Sequence, residues 1–164
     1  MLKELIIVRH GKAVTPDSFA RDIDRVLAPR GINDGYKIGD SLKSEGIKPD
    51  LVLTSPAARA SHTAFILARV LDVATDNIRI VKNFYHCNIP VFLNEIYALD
   101  NKYNSVLLSA HNPGITDLAH ELSGGETNFL PTTGVVVVRF AIEKWTSISE
   151  AKPEFTLILK PKEF

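Results

Sequence analysis

Three short segments hold the side chains best suited to handling an anion. They are Arg9-His10-Gly11, Arg59 in Ser55-Pro56-Ala57-Ala58-Arg59, and His111 in His111-Asn112-Pro113-Gly114. Planar guanidinium groups bind phosphoryl oxygens through paired hydrogen bonds, and a neutral imidazole nitrogen is a competent nucleophile. Gly11 adds a residue at which the backbone can approach a ligand closely. The 164-residue chain carries 19 basic and 19 acidic side chains, a formal charge of zero. That balance gives no footprint for nucleic acid or an anionic membrane. Anion selectivity must come from local clustering, and phosphate is the natural ligand for such a cluster.

Other chemistries lack their residues. Cys87 is the single cysteine, so an intrachain disulfide is impossible, which suits a reducing compartment. The residue six positions beyond it is Leu93 rather than arginine, so a cysteine-phosphatase loop is missing. No G-x-x-x-x-G-K-[ST] or H-E-x-x-H pattern occurs, and His62, His86 and His120 show no metal-ligand spacing. The expectation is no metal and no other cofactor. Asp22-Ile23-Asp24-Arg25-Val26 imitates an aspartyl-phosphate signature. That chemistry needs its first aspartate at the end of a buried strand, whereas residues 16–21 before Asp22 form no apolar run, so this reading is set aside. The apolar run Leu5-Ile6-Ile7-Val8 is too short for a signal peptide, and no segment reaches the roughly 18 apolar residues of a membrane helix. With 45% hydrophobic and 23% charged residues, the composition is ordinary for a globular protein. It leads us to expect one domain over residues 1–164, cytoplasmic and by default monomeric.

The elements that must position these residues follow from periodicity. Apolar, β-branched runs predict strands at Leu5–Val8, Asp50–Thr54, Ile78–Val81, Ser105–Ser109, Val135–Phe140 and Phe155–Leu159. Helical stripes recur at Ala64, Leu67, Ala68 and Leu71, at Ile89, Phe92, Leu93 and Ile96, and at Ile115, Leu118, Ala119 and Leu122. The stretch Arg30–Glu45 is a weaker helix, its Ile38 and Leu42 diluted by Gly35 and Gly39. Ser55-Pro56 and Asn112-Pro113 each suggest a capping residue before a first-turn proline. A loop is expected around Lys144–Pro153. Alternating strands and helices, closed by two strands, predict a three-layer α/β/α sandwich with a mostly parallel sheet and an antiparallel edge. In such sheets ligands bind beyond the carboxyl ends of the strands. Arg9 with His10, Arg59 and His111 all fall at that edge, where two helix N-termini add positive partial charge. An arginine in a first helical turn opposes the dipole, which favours a ligand-binding role for Arg59. The polar loop Thr15–Asp24 is a candidate functional loop.

Four ordered blocks carry a family resemblance. Val8-Arg9-His10-Gly11-Lys12-Ala13 resembles the signature of the histidine phosphatase superfamily. Asp24-Arg25-Val26-Leu27-Ala28-Pro29-Arg30-Gly31 is similar to the D-R-P-L-T-P-R-G segment of its SixA-type phosphohistidine phosphatase branch. The run from Pro49 to Ala60 with Thr63-Ala64, then His111-Asn112-Pro113-Gly114 with Gly124-Gly125-Glu126, resemble the later blocks. The resemblance implies a phosphoglycerate mutase-like fold and His10 as a transiently phosphorylated nucleophile. It implies a phosphate pocket of Arg9, Arg59 and His111 with Gly11, to which Arg25 adds a further guanidinium. It also implies a phosphohistidine-bearing protein as partner.

Superfamily members that cleave phosphate esters often carry a carboxyl acid after the third strand. Here residues 82–90 contain none, as in the SixA-type branch. A phosphohistidine substrate accounts for the gap, because a ring protonated on its other nitrogen leaves as neutral imidazole. A weak-acid role for His86 stays open beside a plain loop role. A small-molecule phosphomonoesterase and a non-catalytic phosphate-binding module are the competing readings; the missing acid counts against the first, the intact Arg9, His10, Arg59 and His111 set against the second.

Overall fold

The structure, a computed structural model, describes residues 2–17 and 20–161. Ser18 and Phe19 of the Thr15–Asp24 loop lie outside the described residues. Six strands form one sheet: β1 (Lys3–Arg9), β2 (Leu51–Thr54), β3 (Ile78–Ile80), β4 (Ser105–Ala110), β5 (Val135–Phe140) and β6 (Phe155–Leu159). Their spatial order is β3-β2-β4-β1-β5-β6. The first four pair in parallel, while β5 runs antiparallel to both β1 and β6. The expected antiparallel edge is thus present, and it begins one strand inside, at the β1–β5 pair.

Among the described residues four α-helices cover the two faces: α1 (Pro29–Ser44), α2 (Ala58–Val70), α3 (Ile89–Tyr97) and α4 (Gly114–Leu122). Strand side chains alternate between the faces. Leu5, Ile7, Val106, Leu108, Val136 and Val138 pack with Phe92 and Ile96 of α3 and Ile115 and Leu118 of α4. Ile6, Val8, Val52, Leu107 and Val137 pack with Ile38 and Leu42 of α1 and Ala64 and Leu67 of α2. Both faces are buried, which is why these strands read as unbroken apolar runs rather than alternating ones.

The weak stripe of α1 has a packing cause. A Cβ on Gly35 would meet Ile66 at 3.2 Å, and one on Gly39 would meet Val70 at 3.0 Å. The two glycines are the face that lets α1 lie close against α2. Two expected helix starts are displaced. The first residues of α2 and α4 are Ala58 and Gly114, so neither Pro56 nor Pro113 opens its helix. The segment expected as a loop around Lys144–Pro153 contains a 3-10 turn, Trp145–Glu150, whose Trp145 and Ile148 are buried in the core.

This topology fixes where a ligand can sit. The helix that follows β1 lies on one face and the helix that follows β4 on the other, although β1 and β4 are neighbours. Their connections diverge, and the crevice between two such strands is the usual binding place in an open α/β sheet. His10 and His111 are the residues that follow β1 and β4. The His10 amide donates to the Ala110 carbonyl, and the Thr133 amide donates to the carbonyls of Arg9 and His10, so the start of this loop is held by backbone. On its outer side the loop leans on α1: a Cβ on Gly31 would lie 2.2 Å from the Lys12 carbonyl oxygen. Gly31→Ala is therefore expected to destabilise the protein by about 1–3 kcal/mol, because backbone must shift to make room. Denaturant titration checks this, and an unchanged midpoint would show that the loop is not braced there.

Candidate active site

His10 lies in the loop after β1 with Nδ1 2.8 Å from the Gly11 carbonyl oxygen. A carbonyl only accepts, so Nδ1 carries the proton and Nε2 keeps its lone pair. Burial lowers the His10 pKa to about 4, and the charges of Arg59, Arg9 and Arg25 push in the same direction. A neutral ring with a free Nε2 is the form that can attack phosphorus. Gly11 donates its amide to Thr63 Oγ1 at 2.9 Å. What calls for glycine here is packing: a Cβ would stand 3.1 Å from Gly31, Leu27 and Thr133 atoms at once.

The ring of His111 lies 5.1 Å from that of His10, centroid to centroid, and the residue is only 2% exposed. Its Nε2 is 2.7 Å from Ser55 Oγ, which also accepts the Ala57 amide. The serine hydroxyl proton finds its acceptor in Nε2, which leaves the His111 proton on Nδ1. Nδ1 is buried without a hydrogen-bond partner among the described residues, as is Nε of Arg9. Both are donors suited to an oxyanion. Burial, with His10, Arg59 and His86 nearby, lowers the His111 pKa to about 3.

Arg59 is the second residue of α2 and 3% exposed. Its Nη1 donates to the Asp22 carbonyl at 2.8 Å and its Nη2 to Asp22 Oδ2 at 3.0 Å. Arg25 donates from Nε and Nη2 to the Val14 carbonyl, and from Nη1 to Asp22 Oδ1 at 3.0 Å. Arg9 donates from Nη1 to the Leu130 carbonyl and lies over the Phe129 ring. All the residues singled out at the three strand ends thus come to one edge of the sheet, with Arg25 beside them.

Sequence reasoning missed Asp22. Its carboxylate accepts from Arg25, Arg59, the Tyr85 hydroxyl and His86 Nε2, the last at 3.3 Å. Led by the tyrosine hydrogen bond, these donors hold its pKa well below the usual carboxylate range. Asp22 belongs to a 3-10 turn, Asp22–Asp24, and follows no buried strand, so the aspartyl-phosphate reading stays excluded. Its place three residues before Arg25 was the one available signal. His86, half-exposed, sits at a left-handed φ of +53°, and its ring lies 4.9 Å from that of His111. The Tyr85 ring lies 5.5 Å from His111. Chemically, the arrangement offers a neutral imidazole nucleophile, a set of fixed cationic and neutral donors, and an ionised carboxylate bound to His86 and Tyr85 beside His111.

Comparison with known proteins gives a consistent result. Residues 5–84 match a family model described as histidine phosphatase superfamily (branch 1). An uncharacterised protein of Mycobacterium tuberculosis is 31% identical over 145 residues, 82% of this chain and 87% of that protein. A structure of the protein histidine phosphatase SixA complexed with tungstate superposes with a TM-score of 0.82 at 24% identity, covering 98% of each chain, a likeness of fold. A candidate phosphohistidine phosphatase SixA of Agrobacterium tumefaciens superposes with a TM-score of 0.79 at 25% identity, covering 94% of this chain and 97% of that one.

The two depressed histidines make stability depend on pH. Below the ordinary histidine pKa of 6.5 the unfolded chain takes up protons that the folded one refuses until about pH 4 and 3. Stability therefore falls as pH drops from 6.5 towards 4, by at most about 1.4 kcal/mol per pH unit for each ring. Thermal midpoints in phosphate-free buffer should show the decline, and His111→Gln should flatten it. Parallel profiles for the variant and the wild type would contradict the assignment of a neutral, buried His111.

Proposed function

Because the chain belongs to the histidine phosphatase superfamily, we propose that it is a phosphohistidine phosphatase. It takes the phosphoryl group of a protein-borne phosphohistidine on to His10 and passes it to water. The observation that carries this reading is the state of the carboxyl group in the site. Asp22 is ionised and hydrogen-bonded to two arginines, a tyrosine and a histidine, so it has no proton to give an alkoxide. A phosphohistidine ring protonated on its other nitrogen needs none. The fold shared with a protein histidine phosphatase that binds tungstate, itself an oxyanion, supports the same reading.

The chemistry divides into two displacements. In the first, His10 Nε2 attacks phosphorus and the substrate P–N bond breaks, its electron pair returning to the leaving ring. Arg9, Arg59, Arg25 and the His111 Nδ1–H hold the equatorial oxygens, where charge spreads in the transition state. In the second, water attacks the phosphorus on His10, the new P–N bond breaks, and phosphate leaves. Neither displacement calls for a metal ion. Exposed Val26, Ile32, Tyr36 and Phe65 line an apolar cleft that begins one residue beyond Arg25, which supports a substrate carried on a polypeptide. A second reading, a small-molecule phosphomonoesterase, draws on the closeness of the His86 ring to His111, where it would have to act as the acid.

Turnover of a phosphohistidine protein and a panel of sugar and aryl phosphates, measured side by side, tests the proposal. Phosphohistidine should exceed sugar phosphates in kcat/KM by about 10²–10⁴-fold, the usual worth of proton donation to a poor leaving group. Rapid quench should place acid-labile label on His10, and His10→Ala should abolish turnover. Equal rates on sugar phosphates would transfer the assignment to the esterase reading, with His86→Asn as the variant that exposes the acid.

A further inference from the structure

We infer that Asp22 is the specificity-determining residue of the site: its carboxylate accepts the ring N–H of the departing imidazole and disfavours leaving groups that depart as oxyanions. The inference rests on the phosphohistidine phosphatase reading and names the group that enforces it.

Placement is the first argument. In an in-line phosphoryl transfer the nucleophile and the leaving group lie on opposite sides of phosphorus. The ring of His111 is flanked by His10 at 5.1 Å and by His86 and Tyr85 at 4.9 and 5.5 Å. Both His86 and Tyr85 hydrogen-bond Asp22. The inference places the leaving group beside Tyr85 and His86, and this carboxylate is hydrogen-bonded to both. Tyr85 and His86 belong to the segment after β3, and the carboxylate reaches them from the connection after β1.

Capacity is the second argument. Oδ2 of Asp22 is shared by Arg59, Tyr85 and His86, whereas Oδ1 accepts from Arg25 alone among the described residues. A carboxylate has about four lone-pair sites, so Oδ1 has one to offer. The side chain is 44% exposed, within reach of an incoming ring. The charged and titratable groups facing it are Arg25 from its own loop, Arg59 from α2, Tyr85 and His86 from the segment after β3, and His111 after β4, while Arg21 pairs with Asp24 in the same turn.

The chemistry follows from charge. A phosphohistidine ring with a proton on its second nitrogen is a cation. As the P–N bond breaks, the electron pair goes to the bonded nitrogen, and the ring leaves as neutral imidazole that keeps its N–H. A carboxylate beside that N–H favours the protonated, labile form of the substrate. An alkoxide has no such N–H, and the negative charge developing on it meets the negative charge of Asp22. One residue thus attracts the right leaving group and repels the wrong one.

The test uses the full chain with free phosphohistidine and an aryl phosphate, each from pH 6 to 9, in wild type, Asp22→Asn and Asp22→Glu. The inference expects Asp22→Asn to lower the ratio of kcat/KM, phosphohistidine over aryl phosphate, by at least about 10-fold. It also expects the alkaline limb of the phosphohistidine profile to move to lower pH, because the substrate ring then loses its proton more readily. Asp22→Glu, which keeps the charge, should recover much of both effects, and carries the test should the asparagine variant fail to fold. Equal losses on the two substrates with an unmoved limb would overturn the inference and leave Asp22 as a brace for Arg59 and Arg25. A wild type that does not favour phosphohistidine would instead overturn the proposed function, a result read before any variant is made.

Discussion

A guanidinium group buried at the positive end of a helix is unfavourable twice over, by desolvation and by the helix dipole. Arg59 occupies that position at the start of α2, and the organisation of the site answers to it. Asp22 meets the charge with both its carbonyl and its carboxylate, and the same carboxylate ties in Arg25, Tyr85 and His86. Groups from two separate loops and the first turn of α2 are thereby held against one another. Each would otherwise be a long side chain near the protein surface, where an isolated ion pair contributes little. The network fixes the Arg59 guanidinium by two hydrogen bonds to a single residue.

Beneath this polar layer the sheet sets the two histidines. They follow adjacent parallel strands whose helices lie on opposite faces, so the rings meet in the crevice between diverging connections. Single hydrogen bonds then decide their proton positions. The Gly11 carbonyl leaves His10 with a free Nε2, and Ser55 leaves His111 with a free Nδ1–H. One ring is prepared to attack and the other to donate. Neither tautomer would follow from a histidine in water; both follow from which backbone or side-chain oxygen lies next to the ring.

Much of this was legible in the sequence because the strands are buried on both faces and so appear as short apolar runs. Once those runs are placed, the strand-end rule puts Arg9, His10, Arg59 and His111 together without further information. What could not be read were contacts between distant loops. Asp22 and Arg59 are 37 positions apart, Ser55 and His111 56, and nothing in either local pattern announces the partner. Helix α1 looked weak because Gly35 and Gly39, poor helix formers, are its closest packing face against α2. The starts of α2 and α4 were misplaced because Pro56 and Pro113 belong to the loops that carry Ser55 and His111 into the site, so the helices begin later. The turn that buries Trp145 gives no sequence signal, because a short 3-10 turn has no periodicity to detect.

The central claim is that phosphorus changes hands twice, first to His10 and then to water. The stereochemical course at phosphorus tests this most directly, with a thiophosphoramidate substrate made chiral by two oxygen isotopes, turned over in water enriched in the third, and the configuration of the released thiophosphate determined. Two in-line displacements, each inverting the centre, predict net retention. Net inversion would mean that water attacks the substrate directly, and it would contradict a phosphorylated His10 and the order of events built on it.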